Sequence, residues 1–133
     1  MEQALADIRA HVPDFAGYQD ENTRRLADEQ IRAVVGEGLA LLHFNHPDYF
    51  ENGQLAGAYD RLILRCEFTN QEVFKEFEYQ KLDDDRKTAI ARADEKLIET
   101  ALRAESVSVD ELQVYLKDLE AAFDARDHAL TNK

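Results

Sequence analysis

The stretch SVDELQVYLKDLEAAFDARDHAL, residues 108–130, decides the fold. Its large apolar residues follow one another at spacings of 3, 4, 3, 4 and 7 positions: Val109, Leu112, Leu116, Leu119, Phe123 and Leu130. This spacing is a heptad seam, which places these side chains on one stripe of an α-helix. Ser108 and Glu111 match a capping box, in which two side chains satisfy each other's free backbone donors at the start of a helix. The stretch therefore predicts a helix that buries one face.

Helical patterns also cover the amino-terminal part of the chain. We predict a short helix over residues 2–12 that ends before Pro13, because the residue before a proline disfavours the α conformation. Asp20 is positioned to cap a second helix, which runs to about Phe44. A connector over residues 48–53 follows it.

Two more helices lie between that connector and the last one. The third helix begins near Asn52, and its stripe includes Leu55, Tyr59 and Leu62. The acids at 83–85 suit the positive end of the next helix. The sequence thus predicts an all-α protein with one domain over residues 1–133. The expected architecture is an antiparallel helical bundle of about four main helices plus a short N-terminal helix.

Two features of the predicted helices leave alternatives open. Thr69 and Glu72 match another capping box, so the third helix either breaks or kinks there, or continues through Tyr79. Gly36 and Gly38 lie inside the second helix, where each costs about 1 kcal/mol relative to alanine. They either permit close contact with another helix or mark a bend.

Composition and charge exclude several classes of function. The chain has 133 residues with 28 acidic and 16 basic side chains, a formal net charge of −12. Neither half is basic, so we expect no binding to nucleic acid and none to an anionic membrane. No apolar run is long enough to span a bilayer, and the first residues do not resemble a secretory signal. We expect a cytoplasmic protein without a cofactor, whose single cysteine forms no internal disulfide.

Histidines provide a candidate metal site. His43 and His46 lie three positions apart at the end of the second helix, within reach of one ion. Asp124 and His128 would add ligands if the two regions meet. The simpler interpretation is that imidazoles favour the negative end of a helix, and that Asp124 and His128 contact each other in solvent. No histidine follows a glutamate by three residues, so the Glu-x-x-His pattern of di-iron bundles is absent.

Acidic residues and the cysteine are weaker candidates, in this case for catalysis. Glu67, Glu72 and Glu76 form an acidic stripe that could serve acid–base chemistry, although a solvated surface explains it more simply. Cys66 lies on the apolar stripe of its helix, which favours a core residue over a nucleophile. The chain also lacks the phosphate-loop, nucleophile and zinc motifs of common enzymes. We therefore lean toward a protein that is not an enzyme.

The loop before the second helix provides a candidate site for a small molecule. Phe15 and Tyr18 flank Gly17 in this loop, and Arg24 and Arg25 follow in the next helix. Aromatic rings and guanidinium groups near a glycine suit a ligand site. We place that site where this loop meets the end of the bundle.

The same segment carries a resemblance. VPDFAGY, residues 12–18, followed by Arg24, Arg25 and Asp28, resembles small helical bacterial proteins of no assigned function. They share a Val-Pro-x-aromatic-x-Gly-Tyr segment before an arginine-bearing helix. The resemblance implies neither an activity nor a ligand. Because Arg24 and Asp28 are one helical turn apart, the simplest expectation is that they pair with each other.

These observations leave three functional hypotheses. The leading one is a non-enzymatic bundle that acts through protein–protein contacts or self-association. Exposed aromatic residues would mark its contact surface: Tyr49, Phe50, Tyr79 or Tyr115. The alternative is a small-molecule- or metal-binding bundle that uses the Arg24 region or the two histidines. The third is an enzyme with carboxylates in a bundle cavity.

Overall fold

A computed structural model describes residues 2–51 and 53–131. These residues form α1 (Glu2–His11), α2 (Glu21–Asn45), α3 (Pro47–Glu51), α4 (Ala56–Glu67), α5 (Gln71–Glu78), α6 (Asp84–Leu102) and α7 (Leu112–Thr131). Two 3-10 turns, Arg103–Ser106 and Val109–Glu111, join α6 to α7. No strand occurs among the described residues, and the all-α prediction is confirmed.

The bundle is organised around α6. This helix packs against α7, α2 and α1, while α4 packs on α2 and α5 packs on α7. Its neighbour α7 runs antiparallel to it, because Tyr115 lies beside Thr100 and Arg126 lies beside Asp94. α4 likewise runs antiparallel to α2, because Cys66 lies beside Arg32 and Tyr59 lies beside Leu39. The main helices α2, α4, α6 and α7 thus match the predicted bundle, with α1 as the short N-terminal helix.

The apolar stripe of the last helix is buried, as its spacing predicts. The stripe residues of α7 that lie in the core are Leu112, Leu116, Leu119, Phe123 and Leu130. Val109 was predicted wrongly, since its side chain is 46% exposed. It belongs to the 3-10 turn before α7, whose twist differs from that of an α-helix, so the heptad spacing does not extend back to it. On α2, the apolar residues Leu26 and Leu41 are exposed.

α2 is one uninterrupted helix. Asp20 caps its start by accepting the N–H of Thr23 at 2.9 Å, as predicted. Gly38 allows α2 and α6 to approach closely, because a Cβ at this position would lie 2.7 Å from the carbonyl oxygen of Ala101. Close contact, and not a bend, therefore accounts for this glycine.

The connection after α2 contains a short helix that the sequence pattern does not predict. α3 overlaps the predicted connector and begins one residue before it, at Pro47, whose fixed φ suits the first position of a helix. α4 then begins at Ala56. The start predicted near Asn52 is too early, and Asn52 itself lies outside the described residues.

α4 and α5 are separate helices. The chain breaks between them because Phe68 is extended, with φ −125° and ψ 133°. The predicted capping box at Thr69 is wrong, since the cap of α5 is Asn70, which accepts the N–H of Val73. The Thr69 hydroxyl donates instead to the buried carboxylate of Asp28 at 2.9 Å.

Candidate functional site

A group of buried charged side chains joins α2, α6 and α7. Asp94 of α6 is completely buried, and Arg126 of α7 donates to it from Nε at 2.6 Å. The hydroxyl of Tyr18, in the loop before α2, donates to the other oxygen of Asp94 at 2.5 Å. Arg126 also pairs with Asp28 of α2, with 2.8 Å between Nη1 and Oδ1. One guanidinium therefore joins carboxylates from two different helices.

Asp28 extends this group toward the junction of α4 and α5. Its Oδ2 accepts from Nε of Arg32 and from the hydroxyl of Thr69, each at 2.9 Å. Arg32 also donates to the carbonyl oxygen of Cys66 at 2.9 Å. The group, here called the buried charge cluster, comprises Tyr18, Asp28, Arg32, Thr69, Asp94 and Arg126. Its two aspartates and two arginines balance in formal charge.

Burial and charge act in opposite directions on the carboxyl groups of this cluster. Burial raises the pKa of Asp94, and the attraction of Arg126 offsets only part of that effect. Burial also acts to raise the pKa of Asp28, but Arg126 and Arg32 together outweigh it, so the pKa is lowered. Burial acts to lower the pKa of the Arg126 guanidinium, but Asp94 and Asp28 raise it above its usual range.

The buried charge cluster is complete in its hydrogen bonding. Every fully buried side-chain nitrogen and oxygen of the described residues has a hydrogen-bond partner. Removing one member of such a cluster leaves a buried charge without its partner, which is strongly destabilising. We therefore assign to this cluster the task of holding the helices in one arrangement.

The sequence carries a positional signal for this cluster that pattern reasoning misses. Asp94 follows Ile90 by four positions and so lies on the apolar stripe of α6. Arg126 occupies the gap of seven positions between Phe123 and Leu130 in the heptad seam. A charged residue on a buried stripe indicates a buried partner, but it does not indicate which one.

The predicted ligand residues lie near one another, but two of them belong to the core. Phe15 and Tyr18 are buried with their ring centroids 5.6 Å apart, and the Tyr18 ring lies 6.3 Å from that of Phe77. Arg24 donates from Nε to the carbonyl oxygen of Tyr18 at 3.0 Å. Arg25 is more than half exposed and pairs with the exposed Glu21 and with the buried Glu78.

Arg24 caps the carboxyl end of α5. Its Nη1 lies 2.9, 3.2 and 2.7 Å from the carbonyl oxygens of Phe77, Glu78 and Gln80. The last carbonyls of a helix lack partners within it and carry partial negative charge, so a guanidinium is favoured there. The prediction that Arg24 pairs with Asp28 is wrong, because the end of α5 engages the guanidinium instead.

One nitrogen of this guanidinium has no hydrogen-bond partner among the residues that the structure describes. Arg24 is only 6% exposed, and its hydrogen bonds within residues 2–51 and 53–131 use Nε and Nη1 but not Nη2. Since no fully buried nitrogen of those residues lacks a partner, Nη2 reaches the solvent-accessible surface. Burial lowers the pKa of Arg24; Asp20 opposes this shift through its charge, and the nearby Arg86 adds to it.

Arg24 lines a surface depression of about 390 Å³. We call this depression the Arg24 basin. Its charged lining residues are the cations Arg24, Lys81 and Lys87 and the acids Asp20, Glu21 and Glu78. It lies where the loop before α2 meets the end of α5. The predicted location of a ligand site therefore contains a cavity, although its lining differs from the predicted residues.

The two histidines of the predicted metal site have different partners. Nε2 of His43 lies 3.3 Å from the carboxylate of Glu51, and Nε2 of His46 lies 3.1 Å from the carbonyl oxygen of Val107. In the described part of the chain, no three His, Cys, Asp or Glu side chains come together as metal ligands would. The structure thus gives this pair no third ligand among those residues.

The acidic and cysteine candidates occupy ordinary environments. Glu72 and Glu76 are exposed and line a surface depression of about 440 Å³ together with Asp124 and His128. Asp124 pairs with Arg65 of α4, at 2.9 Å from its Nη1. Burial raises the pKa of the Cys66 thiol to about 11, so it stays protonated near neutral pH, as expected for a cysteine in the core.

The aromatic residues predicted to mark a contact surface divide into two groups. Tyr49 and Tyr79 are exposed. Phe50 and Tyr115 are buried, and for them the prediction is wrong. Tyr115 is drawn inward because its hydroxyl donates to the carbonyl oxygen of Thr100 at 2.8 Å.

Two large apolar side chains are exposed to solvent at the end of α4. Leu64 and Phe68 are 55% and 65% exposed. Leu64 lies in the last turn of α4, and Phe68 is the residue that follows the helix, with its N–H donating to the carbonyl oxygen of Leu64 at 3.1 Å. We call this pair the α4 patch. Its charged neighbours Asp60 and Arg61 are also exposed, which gives the patch a polar edge.

Comparisons of the chain with protein-family models, with curated proteins and with solved structures find no match. Among the described residues, no helix combines the length and the apolar composition needed to cross a membrane. The fold and the sites thus define the class of protein: an all-α bundle with a buried charge cluster, an open basin over Arg24 and an apolar patch on α4. Its function is inferred from those surfaces.

Proposed function

We propose that this protein acts through protein–protein contact, with the α4 patch at the centre of the interface. The observation that carries the proposal is the exposure of Leu64, in the last turn of α4, and of Phe68, directly after that helix. A large apolar side chain gains about 1.5–3 kcal/mol when it is fully removed from water. Two such side chains together favour a partner that covers them.

The surroundings of the patch support the same proposal. Interfaces between proteins combine an apolar centre with a polar rim, and aromatic residues are enriched at the centre. Phe68 provides the aromatic residue, and Asp60 and Arg61 provide charged groups at the edge. The simplest partner is a second copy of this chain, because a two-fold contact would place each α4 patch against the other.

The proposal is tested by measuring association across a concentration series with sedimentation velocity. The variant Leu64→Gln/Phe68→Gln removes the patch and, since both side chains are mostly exposed, should leave the fold intact. We expect the dimer of the wild-type chain to weaken by more than about tenfold, because each substitution occurs twice in a two-fold interface.

A matched control uses exposed apolar residues on other helices. Val114 of α7 and Leu26 of α2 are 60% and 48% exposed, close to the values of the patch residues. Val114→Gln/Leu26→Gln should associate like the wild type. Where the wild-type chain is monomeric, affinity capture from a cell extract replaces the first assay, and a partner lost only by the patch variant supports the proposal. If the wild type is monomeric and both variants retain the same proteins, the proposal is wrong.

A further inference from the structure

Independently of the α4 patch, we propose that the Arg24 basin binds a small molecule through an oxyanion group, either a phosphate or a carboxylate. The observation behind this is the unused Nη2 of Arg24, on a side chain that is otherwise buried. A guanidinium is a planar fork of donors that suits the two oxygens of a phosphate or carboxylate. Here one side of that fork is already held in place by the protein.

The hydrogen bonds that Arg24 donates to the protein use only part of its guanidinium, because Nη2 takes no part in them. Nη1 and Nε are satisfied by backbone carbonyl oxygens, at 2.7–3.2 Å, and those bonds hold the side chain in one orientation. No salt bridge connects Arg24 to a carboxylate of the described residues. A fixed cation whose remaining donors reach solvent is preorganised for an anion, because binding costs it little further side-chain entropy.

The rim of the basin adds positive charge. Lys81 and Lys87 both line it, and neither forms a salt bridge within the described residues. With these lysines and Arg24, the lining balances its three acids and has no formal net charge, on a chain whose formal net charge is −12. An anion is therefore repelled less strongly at the basin than over the rest of the surface.

The acids that line the basin are engaged elsewhere. The side chain of Asp20 accepts the N–H of Thr23 at the start of α2. Glu21 and Glu78 both pair with Arg25, the former at 3.9 Å. Arg25 thereby offsets one of these two negative charges, and Asp20 acts on Arg24 through its charge without a salt bridge, so Nη2 of Arg24 stays open to a ligand.

The size of the basin indicates what else the ligand contains. A volume of about 390 Å³ lies within the usual range of small-molecule sites and exceeds what one phosphate requires. Gln19 and Gln80 also line it and offer amide groups for hydrogen bonds. Tyr79, which is 70% exposed, offers a ring face. We therefore expect a small phosphorylated or carboxylated compound with a polar body.

NMR titration with inorganic phosphate and with acetate tests the proposal, with sodium chloride as the control for ionic strength. We expect the side-chain nitrogen signals of Arg24 to shift and saturate with phosphate or acetate, and not with chloride. A linear shift without saturation, equal for all three salts, would overturn the proposal.

A pair of charge-matched variants makes the test specific without disturbing the cap of α5. Lys81→Gln/Lys87→Gln should weaken phosphate binding about fivefold, since each rim charge contributes modestly in solvent. Lys75→Gln/Lys117→Gln removes the same charge from exposed residues outside the basin and should leave binding unchanged. Equal weakening by both variants would show unspecific attraction and overturn the proposal. Saturation by a tetraglutamate peptide, but not by phosphate or acetate, would do so as well and would identify an acidic protein segment as the occupant.

Discussion

Asp94 carries a carboxyl group in a part of the protein that water does not reach. Moving a charge into such a place costs several kcal/mol, and the attraction to Arg126 repays this only because both groups are also fully hydrogen-bonded. An apolar residue at the same position would fill the space at less cost. The benefit of the charged residue is specificity, since only one arrangement of α2, α6 and α7 brings Asp94, Arg126 and Asp28 together.

The first prediction concerns Asp94 itself. Asp94→Asn keeps the size of the side chain but leaves Arg126 with only one carboxylate. We expect the free energy of unfolding to fall by about 3 kcal/mol, because a buried cation is left partly uncompensated. Urea denaturation at neutral pH measures the change.

Asp124→Asn is the matched control for this prediction. Asp124 also pairs with an arginine, but its side chain is 57% exposed. Its loss should cost less than about 1 kcal/mol, as is usual for ion pairs in solvent. Equal effects of the two substitutions would show that Asp94 contributes no more than a surface ion pair.

At the scale of the element, the contact between α2 and α6 depends on the missing side chain of Gly38. The carbonyl oxygen of Ala101 lies 2.7 Å from the place where a Cβ would be, and a backbone atom cannot move aside as a flexible side chain can. The cost of a glycine inside a long helix is thus offset by close packing between two main helices.

The second prediction compares the two glycines of α2. Gly38→Ala should lower the free energy of unfolding by about 1–2 kcal/mol, because the strain of overpacking exceeds the gain in helix propensity. Gly36→Ala should raise it by about 0.5–1 kcal/mol, since its Cβ would lie 3.7 Å from the Cβ of Cys66, an ordinary contact. Thermal and urea unfolding of both variants check the difference in sign. A stabilising Gly38→Ala would mean that the helices can separate without cost.

Elements were predictable from the sequence where a local pattern determines them. The stripe of α7 and the cap at Asp20 depend on residues within a few positions of one another, and both predictions are confirmed. α3 was missed because five residues are too few to show a period. The cap at Thr69 was wrong because Asp28, 41 positions away, binds its hydroxyl.

The location of the candidate ligand site was predictable from the sequence, but the side chains that line it were not. The region of Phe15, Tyr18 and Arg24 does contain a basin, but the sequence does not show that both aromatic rings face the core. Lys81 and Lys87 come to the basin from beyond α5, and no spacing in the sequence connects them to Arg24. Which side chains share a cavity depends on tertiary packing, and a single sequence records only the neighbours along the chain.

At the scale of the whole molecule, several acidic groups are buried in their protonated form. Burial raises the pKa of the Cys66 thiol to about 11 and that of the Tyr115 phenol to about 12. Burial, with the nearby charge of Asp94, raises the pKa of Tyr18 well above its ordinary value. These groups hold their protons more tightly in the folded chain than in the unfolded chain.

The third prediction follows from this difference in proton binding. The stability that these groups contribute is fully present below the ordinary pKa of a thiol, 9.0, and is lost as the pH rises through the folded values. We expect the free energy of unfolding to fall above pH 9, with a limiting slope of about 1.4 kcal/mol per pH unit for each group. Urea unfolding at increasing pH measures this decline.

Tyr115→Phe provides the control for the alkaline decline. The variant loses the hydrogen bond to Thr100, about 1 kcal/mol at every pH, but its stability should fall less steeply above pH 10, the ordinary pKa of the phenol. A wild-type stability that stays level while the pH passes 10 would contradict the assignment of these groups as buried acids.

The hydrogen bonds from Arg24 to the end of α5 also affect the order in which the helices form. α5 has only eight residues, too few for a helix to persist alone in water. Its final carbonyls depend on a side chain that stands 53 to 56 positions earlier. During synthesis from the amino terminus, α2 leaves the ribosome well before α5 does. When α5 leaves the ribosome, α2 thus already carries the Arg24 side chain that binds the final carbonyls of α5. We therefore expect α5 to become helical when it docks on Arg24, and not before.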